Sequence, residues 1–369
     1  MIEILVGLAA MSGLTAVLAA LLEAADFWFL DYGEVVVSIN EGEKEITAKG
    51  GGKLLDLLAD NGIFIPSACG GRGSCGLCKV RVLSGGGMVL PTETPYLSPE
   101  EAKDNTRLSC QVKARNDLAI RIPSEYFNIK RFKARVESLA NLTETNREVR
   151  MKLLDPTEMN FKPGQYVQLL VPPYKGSPES VSRAYSIASG PEDKSSVSLV
   201  ITRVPQGLAT TWVHDILAEG DEIELSGPYG KFHLRDTDAE MIMVATGSGL
   251  APILSILLQM ALAKSHRKAT LYFGTKTTGD LFYTDQLKEL EGRLPGFRFV
   301  PVLSNVPEGE TWDGETGMVT DPIKRKLEKE GGEGKEAYLC GNPFMINAAV
   351  KMFMEYGISE DKIFYDKFG

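Results

Sequence analysis

What this chain of 369 residues has little of narrows its chemistry before any motif is read. It carries three histidines, His214, His233 and His266, which stand far apart without metal-ligand spacing, and it has no HExxH, so a histidine-built metal centre is not expected. No Walker loop and no Ser-His-Asp arrangement can be traced, which removes the P-loop hydrolases and the serine hydrolases. Basic residues are fewer than acidic ones, 40 against 49, and a net charge of −9 leaves no basic surface for nucleic acid. Five cysteines in so long a chain leave an odd thiol and too few staples for a disulfide framework. No internal repeat or low-complexity tract stands out. With 43% hydrophobic and 24% charged residues the balance is globular, with room for two or three domains that each bury a core.

Charge is also missing at the start. Residues 4–22 contain none, and the first Lys or Arg is Lys44. As a helix this run spans about 28 Å at 1.5 Å per residue, close to the thickness of a bilayer core. It has no basic n-region and is longer than a cleaved signal peptide needs, so residues 1–25 are expected to form a retained single-pass transmembrane anchor. Phe27, Trp28 and Phe29 follow as an interface-like aromatic belt. Ala9 and Gly13, with Ala16 and Ala20, form a small-residue stripe that lets another membrane helix approach. A buried helix of the soluble part is the competing reading.

The cysteines that are present are concentrated. Cys69, Cys75 and Cys78 lie within ten residues, and Cys110 follows at a distance. A [2Fe–2S] centre needs four thiolates, and a glycine-rich loop that supplies three of them can wrap the iron pair while a distant strand closes the cage. Glycines at 70, 71, 73 and 76 allow left-handed turns and bring backbone N–H groups toward the inorganic sulfides. Zinc is the rival, but its sites more usually pair two Cys-x-x-Cys knuckles. The stretch resembles the [2Fe–2S] ferredoxins. Its first interval has five residues rather than the plant-type four, a spacing similar to vertebrate-type ferredoxins and certain respiratory flavoprotein subunits.

The pattern along the chain changes twice after the anchor. Residues 34–40 and 45–49 alternate as a hairpin, a short helix is expected at 53–59, and a strand at 79–83. Ser98, Pro99 and Glu101 form a capping box with proline at the first helical position. This order, over 34–125, resembles the β-grasp fold of the ferredoxins. From 128 to 235 strands are expected near 132–139, 148–154, 166–171 and 198–204, broken by Gly and Pro, as in an antiparallel β-barrel. From 237 to 369 strand and helix alternate as a doubly wound α/β domain, with strands at 241–245, 269–273, 297–303, 337–340 and 363–365. The whole is an α+β and α/β multidomain chain.

Two stretches in the barrel region, Arg183, Tyr185 and Ser186, then Gly207, Thr210 and Thr211, resemble the flavin-binding domain of the ferredoxin–NADP reductase superfamily in their order and in what precedes them, Pro163, Gly164, Gln165 and Tyr166. The resemblance implies FAD, with Arg183 forking its phosphate, Tyr185 lying on the isoalloxazine and Ser186 reaching the N5 side. The Gly207–Thr211 stretch is expected to open a helix over 210–217, whose N-terminus suits the pyrophosphate. In the α/β region Gly247, Gly249 and Pro252 lie between the first strand and its helix, where a dinucleotide's phosphates bind, although GxGxxG is incomplete. Cys340 and Gly341 resemble the superfamily's Cys-Gly-Pro-Pro stretch beside the nicotinamide, from which Asn342 departs. A buried strand-end thiol is the plain alternative for Cys340.

Anchor, ferredoxin, flavin barrel and nicotinamide domain follow one another in an order that resembles the F-subunit family of the Na+-translocating NADH:quinone oxidoreductases along nearly the full length. Supporting stretches are Leu90 to Glu93, Asp236 to Glu240, Asn347 to Val350 and the terminal Asp366, Lys367, Phe368 and Gly369, while the segment between Tyr166 and Arg183 looks short. The resemblance implies NADH oxidation through FAD and a [2Fe–2S] cluster held by Cys69, Cys75, Cys78 and Cys110. Catalytic roles would fall to Ser186, Tyr185, Cys340 and Phe368, the last covering the flavin face. It also implies integral-membrane partner subunits of a respiratory complex, an inner-membrane location and catalytic domains facing the cytoplasm. Lys276 sits where a 2′-phosphate would be received, yet NADH is the expected donor. The alternative is an NADH-dependent reductase component that feeds electrons to an oxygenase.

Overall fold

The computed structural model describes residues 7, 11–19 and 32–367, and its contacts divide into two compact units, Met1–Asn128 and Ile129–Gly369. Residues 11–19 are helical. Among the described residues no helix is long and apolar enough to cross a membrane. Of the anchor expected over residues 1–25, only 7 and 11–19 are described; the rest lies outside the described residues.

The first unit contains β1 (Glu34–Ile39), β2 (Lys44–Lys49), α1 (Leu54–Asp60), β3 (Lys79–Ser84), α2 (Pro99–Lys103), β4 (Thr106–Leu108) and β5 (Leu118–Arg121). They form a sheet in the order β2-β1-β5-β3-β4, with β1 and β5 parallel and the other neighbours antiparallel, which is the β-grasp order. Period-two alternation points Val35, Val37 and Ile39 inward, onto Leu54, Leu55 and Leu58 of α1. Leu54 and Leu58 are wholly enclosed, and each such side chain contributes about 1.5–3 kcal/mol. Helix α2 starts where the sequence marks it: Ser98 accepts from the Glu101 amide, and the Glu101 carboxylate accepts from the Ser98 amide.

The second unit opens with β6 (Lys130–Asn141), β7 (Asn146–Asp155), β8 (Tyr166–Val171), β9 (Val181–Ser186), β10 (Ser196–Thr202), α3 (Leu208–Asp215) and β11 (Glu222–Tyr229). Six antiparallel strands run in the order β10-β7-β6-β11-β8-β9, and a bridge between Ile187 and Leu199 joins the two ends into a barrel. Two of these strands escape the sequence reading. β9, VSRAYS, is too polar to stand out, and β11 runs into Gly227 and Pro228. Helix α3 begins at Leu208, two residues before its expected start.

The chain continues through β12 (Glu240–Thr246), α4 (Leu250–Leu262), β13 (Ala269–Thr275), α5 (Thr284–Arg293), β14 (Phe297–Leu303), β15 (Glu315–Thr316), α6 (Thr320–Glu330), β16 (Lys335–Gly341), α7 (Pro343–Glu355) and β17 (Ile363–Lys367). This sheet is parallel throughout, in the order β15-β14-β13-β12-β16-β17. Alternate residues of β12 serve opposite cores: Met241, Met243 and Ala245 pack with α4 and α5, and Ile242 and Val244 with α6 and α7. Ala188, Val200 and Phe232 of the barrel belong to the first of these cores, and Ser255 Oγ of α4 donates to Ser189 O at 2.6 Å. The junction at 235–240 is pinned by Glu336, fully buried, which accepts from Arg267 at 2.7 Å and from Thr237 and Tyr338 at 2.8 Å each.

Candidate functional site

Three groups of residues carry the chemistry. In the loop after α1, Gly70, Gly71, Gly73 and Gly76 all take positive φ, between 64° and 79°, the left-handed conformation that glycine adopts without strain. The turns fold Cys69 and Cys75 toward each other, while Cys78 meets Cys110, which β4 delivers from beyond. All four thiols are free of disulfides. In each pair one thiol donates to the other, so Cys69 and Cys110 are held low while Cys75 and Cys78 are held high. Among the described residues no three His, Cys, Asp or Glu side chains converge as one ion would require. Two pairs suit a binuclear cluster, in which each iron takes two protein sulfurs, better than a single zinc.

On the barrel, β9 brings Arg183, Tyr185 and Ser186 together. The Tyr185 ring packs at the edge of the barrel core, where burial pushes its hydroxyl far up despite the opposing Arg183 charge. Arg183 Nη1 donates to Ser182 O at 2.7 Å. Ser186 Oγ is buried and without a hydrogen-bond partner among the described residues, as is Gln168 Nε2 on the neighbouring β8, opposite Ala184. Such orphans cost about 1–3 kcal/mol each unless a ligand meets them, so the strand fits a polar cofactor edge. Gln168 was not singled out from sequence, and the signal for it is one amide inside the apolar run YVQLLV. Helix α3 has no side-chain cap at Gly207. The Thr210 hydroxyl turns back, accepting from Val204 N at 3.1 Å, and therefore braces the loop while the first-turn amides stay available to an anion. A Cβ on Gly207 would stand 2.5 Å from that hydroxyl. Thr211 is half-buried in the same turn.

The third group lies where the strand order reverses, between β12 and β16, the place where open α/β sheets bind nucleotides. Gly247, with φ +53°, faces open space: a Cβ there would meet nothing within 4 Å, which leaves room for a dinucleotide. Gly249 and Gly341 instead clasp the two loops together. A Cβ on Gly249 would lie 2.3 Å from Cys340 O, and one on Gly341 would lie 2.3 Å from Thr246 Oγ1. Asn342 N donates to Thr246 Oγ1 at 3.3 Å, and the Asn342 side chain caps α7 by accepting from Phe344 N at 2.7 Å. Pro252 is buried in the first turn of α4. The Cys340 thiol is wholly enclosed, and burial, then the nearby Asp366, push it far up, so it stands neutral. Asp366 pairs with Cys340 across β16 and β17, and burial raises its carboxyl to about 6. The sequence offered Asp366 only as part of the terminal stretch. Phe368 lies outside the described residues.

Comparison with known proteins assigns a domain family to each of the three regions. Residues 37–115 match the 2Fe-2S iron-sulfur cluster binding domain, 133–234 the oxidoreductase FAD-binding domain and 243–351 the oxidoreductase NAD-binding domain. Among solved structures the chain is similar to a cytochrome P450 reductase, GcoB, from Amycolatopsis, with 32% identity and a TM-score of 0.74 over 90% of this chain and 98% of that one. It is also similar to the ferredoxin reductase in carbazole 1,9a-dioxygenase, with 26% identity and a TM-score of 0.70 over 91% and 99%. The F subunit of the Na(+)-translocating NADH-quinone reductase of Neisseria meningitidis (serogroup C, strain FAM18) is 35% identical over an alignment 405 positions long, covering 100% of both chains. The Pseudomonas aeruginosa PAO1 protein of the same name is 34% identical over 100% of this chain and 99% of its own. With its iron–sulfur, flavin and nicotinamide domains matched in order and its whole length shared with these relatives, the chain belongs to the family of Na(+)-translocating NADH-quinone reductase F subunits.

Proposed function

We propose that this chain is the electron-input subunit of a membrane quinone-reducing complex, and that Cys69, Cys75, Cys78 and Cys110 hold the cluster through which single electrons leave. The observation that carries this reading is the set of four thiols drawn into two pairs, none of them in a disulfide, on a chain that also has the hydride-handling domains. FAD, when bound, supplies the conversion of a two-electron hydride into single electrons that a [2Fe–2S] cluster can accept. Arg183 would fork a flavin phosphate, the first-turn amides of Leu208, Ala209 and Thr210 in the Gly207–Thr211 stretch would take the pyrophosphate, Tyr185 would lie on the ring and Ser186 would donate to its N5 side. Gly247, Gly249 and Pro252 shape the seat of the NADH phosphates, and Cys340 and Gly341 border the nicotinamide. The enclosed, neutral Cys340 acts there by packing. Phe368 is assigned the covering role at the flavin face.

A single-pass anchor in the inner membrane, with the remaining domains in the cytoplasm, completes the proposal. The exposed Met11, Leu14, Val17 and Leu18 on the described turns support it, because apolar side chains standing 58–70% exposed need a cover. NADH is the preferred donor, and a higher kcat/KM with NADPH, received at the exposed Lys276, would overturn that. The full-length chain is expected in the membrane fraction, and a version starting at Gly33 in the soluble one. Co-purification from solubilised membranes tests the complex. Recovery with integral-membrane subunits supports it, and recovery alone, with intact reduction of a soluble oxygenase, favours the second reading suggested by the solved reductases.

A further inference from the structure

Gln111 sits against the fourth thiol. Its amide Nε2 lies 3.6 Å from Cys110 Sγ and 3.4 Å from Cys110 O, while its Oε1 accepts from Thr92 Oγ1 at 3.0 Å. The amide is wedged against the cluster loop, where a Cβ on Gly73 would stand 2.7 Å from Nε2. Thr92 is itself held. Its neighbour Glu93, fully buried, accepts from Arg107 Nε at 3.0 Å and Nη2 at 2.6 Å and from the amides of Leu90 and Leu108 at 2.8 Å each. Arg107 Nη1 closes the loop by donating to Gly86 O at 2.7 Å and Gly87 O at 2.9 Å. The Thr92 hydroxyl that bonds the Gln111 amide is thus next in the chain to a buried carboxylate bonded on every side.

We infer that Gln111 is a positioning residue for the iron–sulfur centre: with its oxygen latched by Thr92, its N–H is aimed at the Cys110 sulfur and raises the reduction potential. The inference rests on the reading of Cys110 as a ligand. An N–H donated to a ligand sulfur stabilises the reduced centre more than the oxidised one, because reduction adds negative charge that the sulfur shares. Removing the donor makes reduction harder. Gln111→Leu is expected to lower the equilibrium for one-electron reduction about tenfold, which is a shift of about 59 mV to more negative potential. Gln111→Glu, which replaces the donor with an anion, should shift it further in the same direction. Thr92→Val removes only the latch, so its shift should have the same sign and be smaller.

The experiment is a redox titration of the full-length chain followed by the electron paramagnetic resonance of the reduced cluster, with FAD content and flavin bleaching by NADH as controls expected to stay at wild-type level. Gln111→Leu with an intact cluster and an unchanged midpoint overturns the inference. If that variant assembles no cluster, Thr92→Val decides: a negative shift supports the latch and an unchanged midpoint overturns it. Cys110→Ser separates the two readings. Should it keep the wild-type [2Fe–2S] signal, Cys110 is not a ligand and the inference falls with it. Should it lose the signal while Gln111→Leu and Thr92→Val leave the potential unmoved, the inference alone fails.

Discussion

Ser186 shows what a single residue contributes at this site: its hydroxyl is buried with no bond among the described residues, an arrangement that fits a ligand able to supply one. The same logic applies to charge. Arg183→Ala removes the cation assigned to the flavin phosphate, so the purified variant should have lost its FAD, measured as the ratio of flavin to protein absorbance; full retention would move the phosphate site elsewhere. Cys75→Ser should abolish the [2Fe–2S] signal, since a hydroxyl is a poor ligand for iron, while NADH continues to bleach the flavin in a rapid-mixing experiment. Near-normal quinone reduction by that variant in membranes would take the cluster off the route. Asp366 gives a pH dependence. Its carboxyl is raised by burial to about 6 from an ordinary 3.8, so the folded chain keeps a proton that the unfolded chain releases. The stability this contributes is full below pH 3.8 and is lost as pH rises through 6. Asp366→Asn never ionises, and its Tm should exceed that of wild type above pH 6, with the excess shrinking as pH falls toward 4. An excess that does not vary with pH would rule out the carboxyl as its cause.

Among the elements, those that carry local signals were legible in the sequence and those that depend on distant neighbours were not. The cysteine loop, the capping box at Ser98 and the strand, turn and helix around Gly247 announce themselves because each needs particular residues at short spacing. Strands β9 and β11 stayed hidden. In β9 the polar Ser182 and Ser186 lie on one face and Arg183 on the other, so the pattern of a half-buried strand is lost. Gln168 and the setting of Asp366 were illegible for a related reason, since each is defined by strand pairing, with β9 and β16, that residue type alone does not announce. The Asp236–Glu240 stretch was noticed as a resemblance without a cause. The structure supplies one: Thr237 donates to Glu336, and Glu240 takes Lys326 and Lys335. Glu336→Ala leaves the Arg267 guanidinium, whose side chain is 6% exposed, buried without its anion, and should cost about 3–5 kcal/mol in chemical denaturation. A loss under about 1 kcal/mol, the ordinary size for an exposed pair, would show that water reaches Arg267.

For the molecule as a whole, the division into Met1–Asn128 and Ile129–Gly369 sets what can be separated. Residues 129–369 produced alone should bind FAD and pass hydride from NADH to small two-electron acceptors at rates within a few-fold of the full chain, measured by NADH consumption, while one-electron transfer to quinone in membranes disappears. Failure of that fragment to fold would mean that the second unit borrows stability from the first. A cut between barrel and α/β layer has a different outcome, because Ala188, Val200 and Phe232 share a core with Met241, Ala245 and Leu254 and would be stranded in water. The contrast bears on descent. A recombination event at residues 128 and 129 would hand a lineage a new electron outlet with its hydride chemistry intact, whereas one near 235–240 would break a core. Diversity of acceptors among relatives is thus expected to arise by exchange at one junction, and chimeras joined there should keep the NADH kinetics of the parent that donated residues 129–369.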